Sequence, residues 1–150
     1  MDALLAYADG FFDMALASGS LAVDDGLRTA VIVSLFTDRL AAAGDILPDN
    51  SGDRRGWWAD SYADAANDLI GSRLWLLGRE KQLPATARKA ETYAAESLQW
   101  LLDDGIASAV RVAAEWLGMG VLAMAVEIER PDGTSLTFRF DNLWEALNAV

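Results

Sequence analysis

The sequence predicts an α+β fold, with helices in its central part and an antiparallel sheet near its end. Between residues 84 and 102, apolar side chains recur three and four positions apart, as on one face of a helix. Between residues 110 and 140, they alternate with other side chains, as in strands with one buried face. Gly118-Met119-Gly120 and Pro131-Asp132-Gly133 divide this part into three runs, which predicts a three-stranded antiparallel meander.

A β-hairpin and a helix are predicted for the N-terminal part. Residues 11–23 alternate on both sides of Gly19-Ser20, which would form the turn. Asp24-Asp25-Gly26 predicts a helix start with an aspartate as N-cap. The helix would cover residues 27–43, although Val31-Ile32-Val33 is β-branched and also suits a strand. Its buried face would hold Leu27, Val31, Leu35 and Phe36.

Two further helices are predicted before the sheet and a short one after it. Ser72 is a candidate N-cap for a helix through residues 73–82. Pro84 would begin the next helix, because proline is tolerated in a first turn, and Gly105 would end it. The predicted buried positions of these elements are Leu74, Trp75, Leu77, Ala87, Ala90, Ala94, Leu98 and Leu101, with Leu143, Trp144 and Leu147 in the tail.

Residues 42–70 are rich in Gly, Asp, Asn and Ser, and we predict a long surface loop within one domain of residues 1–150. This loop contains Arg54-Arg55-Gly56-Trp57-Trp58. Arginine and tryptophan are enriched at interface hot spots, so these side chains are candidates for binding a partner. Alternatively, both tryptophans cover the protein's own core while the arginines pair with neighbouring acids. The same alternatives stand for Arg73.

Composition disfavours two classes of partner, nucleic acids and membranes. The net charge of −11 disfavours nucleic acid as a partner, because phosphates repel an acidic surface. No apolar run approaches the roughly 20 residues of a membrane span, and the N-terminus lacks the basic segment of a secretory signal. We therefore expect a soluble cytoplasmic product that meets neither nucleic acid nor a membrane.

The chain has no cysteine and no histidine. This excludes thiol chemistry, zinc sites built on these residues, and Ser-His-Asp or Cys-His triads. The segment Asp49–Asp53 fails the spacing of an EF-hand loop, and no glycine-rich phosphate loop is present. A carboxylate pair such as Glu80 and Glu96 could still serve glycoside hydrolysis, but neither is marked as lying in an apolar pocket. We predict no enzyme activity, no cofactor and no metal.

Several stretches follow one another in an order that resembles one family. They are LRTAV (27–31) with SLFTDR (34–39), GDRRGWW (52–58), GSRLWLL (71–77) with REK (79–81), AESLQWL (95–101) and RPDG (130–133). Together they cover roughly residues 12–145 and resemble the Mu-like phage baseplate wedge proteins. That family is related to the sheath initiators of contractile tails, a wider group that has carried a lysozyme-like label.

The resemblance implies a structural protein of the virion tail baseplate, assembled in the bacterial host cytoplasm. Its partners would be neighbouring wedge proteins, the tail tube or hub, and the sheath protein. It would start sheath assembly by strand pairing. The partner-binding candidates are Arg54, Arg55, Trp57, Trp58 and Arg73. The alternatives are a peptidoglycan-cleaving, lysozyme-like enzyme and a free acidic adaptor protein.

Overall fold

The computed structural model describes the backbone of residues 2–3, 5–8, 11–14, 16–17, 20–21, 23–24, 26–64 and 68–148, and the side chains of residues 26–64 and 68–145. Six short strands, numbered β1 to β6 in chain order, lie near the start of the chain. They form three antiparallel pairs, in which β1 pairs with β6, β2 with β3, and β4 with β5. Their bounds are Asp2–Ala3, Leu5–Ala8, Phe11–Met14, Leu16–Ala17, Ser20–Leu21 and Val23–Asp24.

The predicted N-terminal hairpin over residues 11–23 is divided between two of these pairs. Strands β4 and β5 pair with each other, and Ser20, predicted in the turn, lies in β5 and pairs with Ala17. Strand β3 pairs instead with β2, a strand that was not predicted. Gly19, predicted in the turn, lies outside the described residues. The α+β class is confirmed, with antiparallel strand pairs before the helices.

The C-terminal sheet has the predicted meander order β7-β8-β9, antiparallel throughout. Its strands are Ala109–Gly118, Val121–Glu129 and Ser135–Phe140. Val126 on the central strand pairs with Val112 on one side and with Phe138 on the other. The predicted inward residues of β8 are all buried, because this strand lies in the middle of the sheet and faces the helices. The predicted alternation is therefore confirmed.

Helix α1 spans Leu27–Phe36 and is shorter than predicted. Its N-cap is Gly26, with φ of 86° and no side-chain cap, so the prediction of an aspartate cap was wrong. The prediction that the helix continues to residue 43 was also wrong. Thr37 is extended, and its carbonyl accepts the backbone N–H of Ser72 at 2.9 Å, while Arg39 N–H donates to the Ser72 carbonyl at 3.0 Å. These groups bond to a distant segment instead of extending the helix.

The helix predicted over residues 73–82 was wrong in extent, because only a 3₁₀ turn forms at Leu74–Leu77. Ser72 is 2% exposed, and its hydroxyl donates to the carbonyl of Leu35 in α1. Ser72 thus holds two segments together rather than capping a long helix, although its hydroxyl also accepts the backbone N–H of Leu74 at 3.3 Å.

The helix predicted from Pro84 to Gly105 is divided at Leu98, where φ is −103° and ψ is 3°, although its predicted buried face is confirmed. Helix α2 spans Pro84–Ser97 with proline in its first turn, and α3 spans Gln99–Asp103 just before Gly105. Helix α4 spans Leu143–Asn148. One core joins α1, α2, α3 and the inner face of the sheet, and among its buried members are Val31, Leu35, Leu74, Leu77, Ala90, Ala94, Leu98, Leu101, Leu122, Met124, Val126, Ile128 and Leu143. Within the described residues, no helix combines the length and apolar character needed to cross a membrane.

Candidate interaction surface

Arg54 ties the long loop to the body of the protein. Ala41, which is fully buried, donates its backbone N–H to the Arg54 carbonyl at 2.9 Å. The Arg54 guanidinium returns to the carbonyl of Ala41, with Nε at 3.0 Å and a second, shorter contact from Nη2. These bonds close the segment between the two residues into a ring. The structure therefore places Arg54 in an internal anchor.

Arg55 connects the loop to the segments after α1 and before α2. Its Nη1 lies 2.7 Å from a carboxylate oxygen of Asp38, and its guanidinium stacks 4.4 Å from the centre of the Trp75 ring. Trp75 is buried and donates its indole N–H to the carbonyl of Arg39 at 2.9 Å. The Arg55 side chain is nevertheless 40% exposed, so one side of its guanidinium remains available to a partner.

Trp57 and Trp58 lie on the outside of the protein. Trp57 is 44% exposed and Trp58 is 76% exposed, so the alternative that both cover the core was wrong. The two rings lie 5.9 Å apart between centres, and Trp58 meets the edge of Tyr62 at 6.2 Å. Residues Trp58–Tyr62 form a 3₁₀ turn that holds these rings together. We call Arg55, Trp57, Trp58 and Tyr62 the loop surface.

Arg73 is enclosed by its own chain. Its guanidinium binds Asp45 of the loop at 3.0 Å and Glu96 of α2 at 2.8 Å, and it stacks 4.4 Å from the centre of the Tyr93 ring. Burial acts against the charged form, but the hydrogen bonds that Arg73 donates to Glu96 and Asp45 outweigh it and raise the pKa of Arg73. Arg73 therefore fastens the loop to α2 as a permanent cation.

A groove of about 610 Å³ runs beside the loop surface. Arg55 and Trp57 line it together with Trp75, Arg79 and Trp144. Neither Arg79 nor Tyr62 was among the predicted partner-binding residues. The local signals were a charged segment that begins at Arg79, directly after the apolar run 74–77 and Gly78, and a third aromatic four residues after Trp58, but neither signal shows exposure.

The two edges of the C-terminal sheet differ. Glu91 of α2 accepts the backbone N–H of Ala114 at 2.9 Å, and the Trp116 indole donates to the Leu83 carbonyl at 3.0 Å. Helix α2 therefore covers the outer edge of β7. Strand β9 pairs with β8 alone among the strands that the structure describes. Its outer edge is the candidate for pairing with another chain.

Comparison with known proteins identifies the family. Residues 27–135 match the family described as phage protein GP46. The chain is 46% identical over 139 residues to the baseplate protein gp46 of Escherichia phage Mu, covering 93% of this chain and 94% of that protein. It is 41% identical over 143 residues to the Mu-like prophage FluMu protein gp46 of Haemophilus influenzae, covering 95% and 97%. The chain belongs to the phage protein GP46 family.

The GP46 match includes the entire loop, the groove residue Arg79 and the edge strand β7. The predicted resemblance to Mu-like baseplate proteins is thereby confirmed at the level of the family. The loop and every groove residue except Trp144 therefore lie within the matched residues, which makes them the first candidates for a function shared by GP46 proteins.

Carboxylates that could serve catalysis are engaged with cations. Glu80 binds Lys89 at 2.7 Å, and this hydrogen bond raises the pKa of Lys89. Glu96 binds Arg73. Among the described residues, no group of three or more acidic side chains could hold a metal ion. The absence of enzyme activity stays a prediction, and a peptidoglycan turnover assay with Glu80→Ala and Glu96→Ala checks it. Activity lost in either variant would overturn it.

Proposed function

We propose that this GP46 protein is a baseplate wedge subunit of a contractile phage or prophage tail that joins hub and tube to the wedge and initiates sheath assembly. The observation that carries the proposal is the 46% identity, over nearly the full length of both chains, to the Mu protein named as a baseplate protein. A structural role also suits a chain that has neither histidine nor cysteine.

We place the contact with a neighbouring wedge protein on the loop surface. Trp58 and Tyr62 expose 76% and 78% of their area, and such aromatic groups are enriched at the centres of interfaces. Arg55 offers its exposed guanidinium beside them. Arg54 and Arg73 complete the predicted set by holding the loop in the conformation that presents these side chains.

The outer edge of β9 would accept a strand from the sheath or tube side. Ser108 N–H donates to the Glu129 carbonyl, so the backbone of Glu129 faces β7. Because backbone N–H and carbonyl groups of successive residues point to opposite sides of a strand, those of Ile128 point to β9 and those of its partner Leu136 point to β8. The N–H of the next residue, Thr137, therefore points away from β8, toward the outer edge. An added strand would bond to this free N–H.

Complementation of a phage lacking the corresponding gene tests the proposal, with tails purified and analysed for subunit composition. We expect the chain in purified tails, and its absence from them would refute a baseplate role and favour a free adaptor. Trp58→Ala should reduce incorporation, since loss of a hot-spot tryptophan costs about 2 kcal/mol or more, or about thirtyfold in affinity. Ile46→Ala is the control, because Ile46 is 87% exposed in the same loop.

The edge is tested by comparing Thr137→Pro with Thr137→Ala. Proline removes the outward N–H and is tolerated on an edge strand, whereas alanine keeps the N–H. We expect tubes and baseplates without attached sheath for the proline variant and normal tails for the alanine variant. Equal melting temperatures of the two free chains show that the fold survives. Normal sheath in both variants would remove β9 from the proposed mechanism.

A further inference from the structure

The groove beside the loop surface contains Arg79, a cation that no described side chain binds. Arg79 is exposed, and no side chain that the structure describes forms an ion pair, hydrogen bond or ring contact with its guanidinium. The other groove arginine, Arg55, is already paired with Asp38. The groove aspartate Asp49 accepts two bonds from Ser51, at 3.1 Å from the backbone N–H and 2.8 Å from the hydroxyl. Among the described groove residues, Arg79 is therefore the cation that a ligand can pair with while every internal ion pair stays in place.

Aromatic side chains line the same groove as this cation. Trp57 is 44% exposed in the groove wall. Trp144 is partly buried there and lies 6.1 Å from Trp116, measured between ring centres. The volume of about 610 Å³ falls within the roughly 300–1,000 Å³ of ligand sites, but this groove is open to solvent rather than enclosed. An open groove with aromatic walls suits a chain segment better than a buried small molecule.

We propose that the groove binds an extended segment of a neighbouring baseplate subunit, with a carboxylate of that segment on Arg79 and an apolar side chain between Trp57 and Trp144. Charge complementarity favours this occupant, because an acidic side chain can pair with the Arg79 guanidinium, which no described side chain binds. A neighbouring apolar side chain can pack against the two tryptophans. A second copy of this chain is disfavoured, because each copy carries a net charge of −11. The inference rests on the proposed baseplate function.

A photo-cross-linking amino acid at position 78 tests the proposal in assembled tails. Gly78 lines the groove, has no positive φ, and would place an added side chain no closer than 3.5 Å to its nearest neighbour. The control position is Arg88, which is exposed on α2 and does not line the groove. We expect cross-links from position 78 to map to a segment with an acidic residue next to an apolar one. Cross-links to a segment without an acid, or no more than from position 88, would overturn the proposal.

Charge reversal tests the same contact independently. Arg79→Glu should lower the yield of infectious particles by on the order of tenfold to a hundredfold, the affinity carried by one charge-assisted hydrogen-bonded pair. A lysine at the mapped acid should restore it, while Arg88→Glu should have no effect. Equal yields for both variants, or no restoration, would refute the groove contact but leave the baseplate function standing if the chain remains in tails. Absence of the wild-type chain from tails would refute both.

Discussion

Arg73→Ala is expected to destabilise the fold, because Arg73 fastens the loop to α2. The guanidinium makes two hydrogen bonds to Asp45, at 3.0 and 3.1 Å, and two to Glu96, at 3.2 and 2.8 Å. The Asp45 side chain is only 13% exposed, so removal of its cation leaves a carboxylate that water reaches poorly. The Glu96 side chain is 37% exposed, and its share is weakened by solvent.

The expected loss in the free energy of unfolding is about 3 kcal/mol. Hydrogen bonds to a charged, largely buried group account for about 2 kcal/mol, and the stacking on Tyr93 for about 0.5–1 kcal/mol. For a chain of 150 residues, this loss lowers the melting temperature by about 6–12 °C. Arg73→Lys should recover part of the loss, because lysine keeps the charge but lacks the planar fork that binds two carboxylates.

Arg111→Ala is the matched control, since Arg111 also binds two carboxylates. It contacts Glu127 and Glu129, both at 3.3 Å, but its side chain is 58% exposed. Exposed pairs contribute about 0–1 kcal/mol. Urea unfolding followed by tryptophan fluorescence measures both variants, with an unchanged slope showing that only stability has moved. A loss for Arg73→Ala no larger than that for Arg111→Ala would refute the anchoring role.

Four further substitutions test other contacts. Gly71→Ala should lower the free energy of unfolding by on the order of 3 kcal/mol, because an added Cβ would lie 2.3 Å from the carbonyl oxygen of Thr37. Gly105→Ala is the control, because Gly105 has φ of +70° but open space around it, and it should lower this free energy by about 1 kcal/mol. Thermal unfolding measures both variants. Ser72→Ala should lower the free energy of unfolding in urea by about 1–2 kcal/mol, because it removes the buried hydroxyl that donates to the Leu35 carbonyl. Ser51 is exposed, so Ser51→Ala should lower this free energy by less than about 0.5 kcal/mol. The side-chain and backbone hydrogen bonds from Ser51 lower the pKa of Asp49 below its ordinary 3.8, so their stabilisation is present above that value and is lost as pH falls through the lowered pKa. Ser51→Ala should raise this pKa in an NMR titration, and an unchanged value would contradict the assignment.

The sheet and α2 were predictable because local sequence carries their packing. One face of the sheet meets the helices, so the alternation of period two is visible in the sequence. The spacing of Ala87, Ala90 and Ala94 likewise shows a single buried helix face. The end of α1 was not predictable. The groups after Phe36 bond to Ser72, and no local pattern encodes a contact with a residue so far along the chain.

The interaction surface was predictable in composition but not in arrangement. The density of arginine and tryptophan indicates the loop, yet it cannot show which side chains face inward. Arg73 is enclosed because Asp45 and Glu96, from two different segments, meet around it. Arg79 was not predicted because the sequence does not show that the acidic side chains of other segments pair with other cations and leave Arg79 available. Pairing of charges between segments is a property of the folded chain.

The contacts that Arg54 and Arg73 make with the long loop order part of it when the chain folds, so that the loss of conformational entropy occurs during folding and not during assembly. Contacts at Ala41–Arg54 and Asp45–Arg73 hold residues 42–54 of the loop in the isolated subunit. Ordering a residue costs about 1–2 kcal/mol, which a partner would otherwise have to offset when it binds. A surface prepared in this way can dock as a rigid body, so the rate of joining a growing particle is set by collision and orientation rather than by loop folding.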